Sequence, residues 1–116
     1  MDDDLVASGR YARLEIASID GERRGPTVTV GFLQLADGAV IVAATAPDAR
    51  WATALGEVRR ARVTIADRSY EATASELGLA DPARNAAIRD LILRYGTPSE
   101  GLGRGPVFRL DPIGDA

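Results

Sequence analysis

Residues 44–66 read ATAPDARWATALGEVRRARVTIA and contain the only tryptophan of the chain, Trp51. An apolar, strand-like run enters this stretch, and a β-branched run at residues 63–65 leaves it. Between the two runs, a weak helical pattern extends over residues 49–60, with Asp48 as its predicted N-cap. The stretch therefore predicts a strand–helix–strand junction, which can form one wall of a pocket.

The composition is that of one globular domain: 116 residues, 46% hydrophobic and 27% charged. We expect a single domain over residues 10–113, after a flexible or short helical segment at residues 1–9. No apolar run approaches the length of a membrane span, and the acidic start lacks the pattern of a secretory signal. A cytoplasmic location is therefore expected.

The net charge of -3 and the pI near 4.9 argue against nucleic-acid binding.

Three residue types are missing from the sequence: cysteine, histidine and lysine, so all 14 basic residues are arginine. Their absence excludes thiolate nucleophiles, disulfides, structural zinc sites, imidazole triads and lysine Schiff bases. We predict no metal site and no catalytic side chain. An enzyme of this composition takes its reactivity from a bound cofactor.

Alternation of apolar residues predicts a small antiparallel β-barrel of the α+β class, with about six strands and two helices. The strand patterns cover residues 11–19, 27–35, 39–45, 63–65, 70–74 and 106–112. Turn signals at Asp20-Gly21 and Asp37-Gly38 join the first three strands into a meander, and Asp67-Arg68 predicts a later turn.

Two further local predictions concern the second strand and the longer helix. The apolar phase shifts just after Gly31, which predicts a β-bulge there. Asp81 as N-cap and Pro82 as first helical residue predict a helix that ends near Tyr95.

Several side chains are candidates for binding an anion or a cofactor, and each also has a purely structural interpretation. Arg23 and Arg24, between glycines, can grip a phosphate or can form a solvated hairpin tip. Arg50 lies beside Trp51, which is most often a core anchor. The hydroxyls of Thr27, Thr29 and Thr45 can bond a cofactor, but threonine is also an ordinary strand residue.

A series of short segments carries a family resemblance. In chain order they are GERRGP at 21–26, DG at 37–38 before VIVAAT at 40–45, tryptophan 51 with leucine 55, RVTI at 62–65, YEATASEL at 70–77 and PVFRL at 106–110. Their order and spacing resemble the deazaflavin-dependent nitroreductase-like oxidoreductases, relatives of the pyridoxamine phosphate oxidase and flavin reductase split barrels. No single segment is specific.

The resemblance implies a split β-barrel, commonly a homodimer, that binds coenzyme F-420 or less often FMN in a groove at its side. The cofactor would exchange a hydride with a small hydrophobic or aromatic acceptor. By position, the residues implied to contact the cofactor are Arg23, Arg24, Thr27, Thr29, Thr45, Ala46, Arg50 and Trp51.

The segments also depart from the family pattern. The hairpin has Thr27-Val28 where the family usually has arginine or histidine, and the tryptophan motif is reduced to Trp51 and Leu55. These departures motivate an alternative, a non-catalytic split barrel that binds a lipid or another small apolar ligand. A structural dimerisation module is a third possibility.

Overall fold

The computed structural model describes residues 6–17, 24–44, 49–78, 80–95 and 105–113. Within these ranges the chain forms seven strands and two helices of substantial length. In chain order they are β1 (Ala12–Ala17), β2 (Arg24–Val30), β3 (Leu33–Gln34), β4 (Val40–Ala43), α1 (Arg50–Val58), β5 (Arg60–Ile65), β6 (Arg68–Glu76), α2 (Pro82–Tyr95) and β7 (Val107–Pro112).

All strands belong to one curled sheet of order β2-β1-β5-β6-β7-β4-β3, in which every neighbouring pair is antiparallel. With α1 and α2, this is a predominantly antiparallel split β-barrel of the α+β class, as predicted. The sheet has one strand more than expected because the predicted second strand is divided in two.

The division falls at Gly31 and Phe32, between β2 and β3. β2 pairs with β1 and β3 pairs with β4, so the predicted antiparallel pairing of the first three strands is confirmed. The predicted bulge at Gly31 is wrong, because the ladder stops there and β2 and β3 lie at opposite edges of the sheet. Two residues thus connect the two edges, which requires the sheet to curl.

The inner face of the sheet carries the larger hydrophobic core, which includes Leu14, Val42, Leu55, Val63 and Phe108. Trp51 and Tyr70 are partly buried against this core. On the outer face a smaller cluster joins strands β4 and β7 to α2. The run at residues 40–43 is continuously apolar because Val40 and Val42 face the inner core while Ile41 faces α2.

Helix α1 differs from its predicted bounds at both ends. Its N-cap is Ala49, which makes no side-chain capping bond, so the prediction of Asp48 as N-cap is wrong by one position; Asp48 itself lies outside the described residues. The helix ends at Val58 because Arg59 adopts the left-handed conformation, with φ of 61°, and its N–H bonds the Leu55 carbonyl at 2.7 Å. Strand β5 starts at Arg60.

The turn between β5 and β6 is also displaced by one residue from its prediction. Ala66, with φ of 56°, and Asp67 form the turn, and Arg68 is the first residue of β6. The Ala66 N–H donates to the Val6 carbonyl at 2.7 Å, and Val6 is buried. The division into an N-terminal segment and a domain from residue 10 stays a prediction.

Helix α2 begins as predicted, since the Asp81 carboxylate accepts a bond from the Ala83 N–H at 2.9 Å. It buries Ala87, Leu91 and Arg84, whose guanidinium donates to the Gly105 carbonyl at 3.1 Å. Among the described residues, no helix is long and apolar enough to cross a membrane.

Candidate cofactor-binding face

Strand β2 places two of the predicted site residues, Thr27 and Thr29, on the outer face of the sheet. Their neighbours Val28 and Val30 pack against the inner core. Because side chains alternate along a strand, the two threonines point away from that core. Thr27 is exposed and Thr29 is half-buried.

The register of the sheet aligns Thr29 with three other polar side chains on neighbouring strands, so that they form a row across four strands. Thr29 pairs with Arg13, Arg13 with Thr64, and Thr64 with Ser69. We call these four residues the hydroxyl row. Neighbouring strands lie about 4.8 Å apart, so the row extends over roughly 14 Å. At its far end the Thr64 and Ser69 hydroxyls bond each other at 2.9 Å.

A second row runs beside it and consists of Thr27, Glu15, Arg62 and Glu71. We call it the ion-pair row. The Arg62 Nε bonds the Glu71 carboxylate at 2.9 Å, so this cation already has an anionic partner. The ion-pair row contains two carboxylates for one guanidinium and is the less favourable surface for an anion.

In the hydroxyl row, by contrast, the one charged side chain is a cation. It contains three hydroxyls and one guanidinium, and none of its four members is acidic. Hydroxyls and guanidinium groups are donors to phosphate and carboxylate oxygens, and bonds from a charged donor are the strongest of these. The row can therefore hold an anionic group.

Arg50 and Trp51 lie on the other side of the sheet. Arg50 is the exposed first residue of α1, and the half-buried Trp51 ring lies 6.4 Å from the Phe108 ring, centroid to centroid, at an interplanar angle of 53°. Helix α1 packs on the inner faces of β1, β2 and β6. The predicted threonines and the predicted tryptophan are therefore on opposite faces of β2, and the structure does not bring them together on one face.

The remaining predicted residues are less fully described. Arg24 opens β2 opposite Ala17, and its side chain lies outside the described part of the structure. Arg23, Thr45 and Ala46 lie outside the described residues altogether.

A cavity of 290 Å³ lies at the C-terminal end of α1. It is lined by Gly56, Arg59, Ala74, Ser75, Glu76 and Phe108. Residues 44–66 contribute Gly56 and Arg59 to the lining of this cavity. Trp51 is not among its lining residues.

Elsewhere on the outer face, charges are paired with each other. Arg109 bonds both Asp37 and, at 3.0 Å, Asp111. The hydrogen bond from Arg109 holds the pKa of the Asp37 carboxyl below its usual value, helped by the Ala39 N–H. In the described ranges, no group of three or more potential ligands is arranged to hold a metal ion.

Sequence reasoning missed Arg13, Thr64 and Ser69. Each is a polar residue in an alternating strand pattern, which marks it as outward-facing. Only the strand register shows that they align with Thr29. Register between distant strands depends on tertiary packing and cannot be read from one sequence.

No protein-family model and no curated protein matches the chain. Solved structures do. The heme storage protein HutZ of Vibrio cholerae is 19% identical, with a TM-score of 0.76, over 97% of this chain and 88% of that one. An F-420 reductase is 12% identical, with a TM-score of 0.60, over 97% of this chain and 93% of that one. Identities this low show the fold alone, and the chain therefore has the split-barrel fold that a heme storage protein and an F-420 reductase share.

Proposed function

We propose that this protein is an oxidoreductase that binds coenzyme F-420, or alternatively FMN, and exchanges a hydride with a small hydrophobic or aromatic acceptor. The observation that carries the proposal is the hydroxyl row, a donor-rich strip without a carboxylate on the outer face of four adjacent strands. The fold it shares with an F-420 reductase supports the choice of cofactor.

The donor set fits the anionic part of either cofactor. Both cofactors carry phosphate, and the deazaflavin also carries carboxylates. Thr29, Arg13 and Thr64 present hydroxyl and guanidinium donors at successive strands, which suits oxygen acceptors spaced along a tail. Thr27 lies one row away on the same face and extends this surface. Arg24, the first residue of β2, is proposed as a cofactor contact on the resemblance alone.

The bound cofactor would supply the hydride chemistry, since the chain lacks the imidazole, thiol and amine groups that most enzymes use. The protein's own part is to bind and orient. Arg13 neutralises charge, and the hydroxyls of Thr29 and Thr64 fix the position of the tail. No side chain of this chain is assigned as an acid or a base.

The family resemblance also implies that Arg50 and Trp51 contact the cofactor, and the sheet limits how they could do so. β2 is an edge strand, with a neighbour on one side only. Arg50 and Trp51 can contact the same cofactor as Thr29 only if the cofactor passes around that free edge. Arg23, Thr45 and Ala46 are proposed on the resemblance alone.

Heme is the competing cofactor, because the HutZ structure is that of a heme storage protein. Protein ligands of heme iron are usually histidine, cysteine, methionine or tyrosine. The chain has no histidine and no cysteine, one methionine and three tyrosines. The donor set of this chain therefore favours a flavin or deazaflavin over heme.

A homodimer belongs to the same proposal, since the resemblance implies one. A second copy on the outer face would shield the hydroxyl row from water and strengthen its bonds to an anion. Sedimentation that shows only monomer at high concentration would count against the dimer and against a groove shared between subunits.

The first experiment is a fluorescence titration of the purified protein with coenzyme F-420, FMN and heme in parallel. We expect saturation by F-420 or FMN at tens of micromolar or less, a binding free energy of about 6–7 kcal/mol or more. Saturation by neither flavin nor deazaflavin would remove the proposal. Native mass spectrometry separates it from the lipid-binding alternative, which predicts a co-purified apolar ligand and no flavin or deazaflavin.

A further inference from the structure

A second groove, of 760 Å³, lies at one open end of the barrel. Its walls include Gln34, Ile65, Asp67, Arg68, Tyr70 and Ile113. We call it the mouth groove. Its volume falls within the range of roughly 300–1,000 Å³ that is typical of small-molecule sites.

The mouth groove opens onto the end of the inner core. Arg68 pairs with Ile65 and Tyr70 pairs with the buried Val63, so these side chains lie on the inner face of β5 and β6. Ile65 and Tyr70 are partly buried against the core and leave the rest of their surface to the groove. The floor of the groove is therefore the uncovered end of the barrel interior.

One wall of the groove carries an exposed apolar side chain. Ile113 is 41% exposed, and only Leu93 is a more exposed large hydrophobic residue in the described ranges. Together with Ile65 and the Tyr70 ring, Ile113 can contact an apolar ligand from several sides. Covering this surface with a ligand would remove it from water.

Two polar groups of the groove, on Arg68 and Tyr70, are hydrogen-bond donors. Arg68 forms no ion pair with any other described residue. The charge of its guanidinium lowers the pKa of the Tyr70 phenol. Burial raises the pKa of Tyr70 by more than Arg68 lowers it. The phenol is therefore protonated at neutral pH and can donate a hydrogen bond.

Two groups limit the choice of ligand. The Gln34 amide nitrogen already donates to the Ala39 carbonyl at 3.2 Å. Asp67 is an acceptor at the rim, in the turn next to Arg68. Arg68 and Tyr70, on the same face of β6, offer an anionic ligand two hydrogen-bond donors.

We propose that the mouth groove binds a small aromatic carboxylate, with its ring against Ile65, Tyr70 and Ile113 and its carboxylate bonded to Arg68 and the Tyr70 hydroxyl. The site is distinct from the hydroxyl row. Ser69 belongs to the hydroxyl row and also lines the groove, but its hydroxyl is bonded to Thr64 on the outer face. The two proposals can therefore fail independently.

The test uses the full chain without cofactor and 3-phenylpropionate as the probe, followed by amide shifts in two-dimensional NMR. The neutral 3-phenylpropanol and the cationic 3-phenylpropylamine are matched controls. We expect the carboxylate to bind at least about tenfold more tightly than either control. Its largest shifts should fall at residues 65–70 and 113. Equal binding of the three probes, or shifts centred elsewhere, would overturn the proposal.

Three substitutions sharpen the test. Arg68→Gln should weaken binding of the probe about tenfold, whereas Arg89→Gln, at an exposed position of α2, should not change it. Asp67→Asn should tighten it, because a repulsive charge is removed. If Asp67→Asn instead weakens binding, and the amine binds best, the groove is a site for cations and the proposal is wrong.

Discussion

The ring of Tyr95 lies against Gly31 so closely that a Cβ atom on residue 31 would be 2.8 Å from its Cε2 atom. The Tyr95 hydroxyl accepts a bond from the Phe32 N–H at 3.0 Å and donates to the Arg10 carbonyl at 2.6 Å. Tyr95, the last residue of α2, therefore fixes the two residues between β2 and β3. There the chain crosses from one edge of the sheet to the other.

Gly31→Ala should therefore destabilise the protein. The added methyl group displaces the Tyr95 ring and weakens its bonds to Phe32 and Arg10, for a loss of about 1–3 kcal/mol in the free energy of unfolding. Urea denaturation measures this loss. The matched control is Gly78→Ala, since a Cβ there meets no atom within 4 Å. Equal stability of the two variants would show that the ring can move at no cost.

Tyr95→Phe isolates the hydrogen bonds from the packing. It keeps the ring but leaves the part-buried Phe32 N–H without the Tyr95 oxygen, and we expect a loss of about 1–3 kcal/mol. Tyr11→Phe is the control, because its ring lies 5.0 Å from that of Tyr95 and its hydroxyl has no hydrogen bond to another described residue. If both variants unfold at the same urea concentration, the Tyr95 hydroxyl does not hold the break.

Arg59 occupies a left-handed position at the end of α1, where glycine is the usual residue. Arg59→Gly should stabilise the protein by up to about 1 kcal/mol, because it removes the Cβ that makes this conformation costly. Arg59→Ala retains that Cβ and should bring no such gain. Thermal unfolding compares the two, and a glycine variant less stable than the alanine variant would show that the strain is absent.

Asp37 gives a pH-dependent prediction. Its pKa is lowered in the folded protein by the bond from Arg109, so its carboxylate stabilises the fold above the unfolded pKa of about 4. This contribution is lost as the pH falls through the folded pKa. Asp37→Asn should therefore lower Tm near neutral pH, and the difference from the natural protein should shrink in acid. A difference that stays constant with pH would contradict this assignment.

Much of the fold could be predicted because its signals are local. Asp81 and Pro82 fix the start of α2 through capping and through the fixed backbone of proline. The apolar run at residues 39–45 predicted a strand, and β4 occupies Val40–Ala43 within it.

What could not be predicted depends on contacts between distant residues. Nothing near Gly31 reveals that Tyr95 occupies the space beside it, so the local pattern predicts a bulge where the ladder breaks. Arg59 adopts the left-handed conformation although it is not a glycine, so the sequence does not predict this helix end. Thr29 lies on the outer face in the hydroxyl row, but the alignment of Arg13 and Thr64 with it follows only from the register, and its role in a site stays a prediction.

The cofactor titration of two matched arginine variants tests the function of the hydroxyl row most directly. Arg13→Gln and Arg62→Gln remove the same charge from the same face, but Arg62 lies in the ion-pair row, which contains two carboxylates. We predict that Arg13→Gln weakens binding of F-420 or FMN about tenfold or more, since it removes a charged donor. Arg62→Gln should change binding by less than about threefold. Equal effects of the two substitutions, or undiminished binding by Arg13→Gln, would contradict the assignment of the hydroxyl row as the cofactor site.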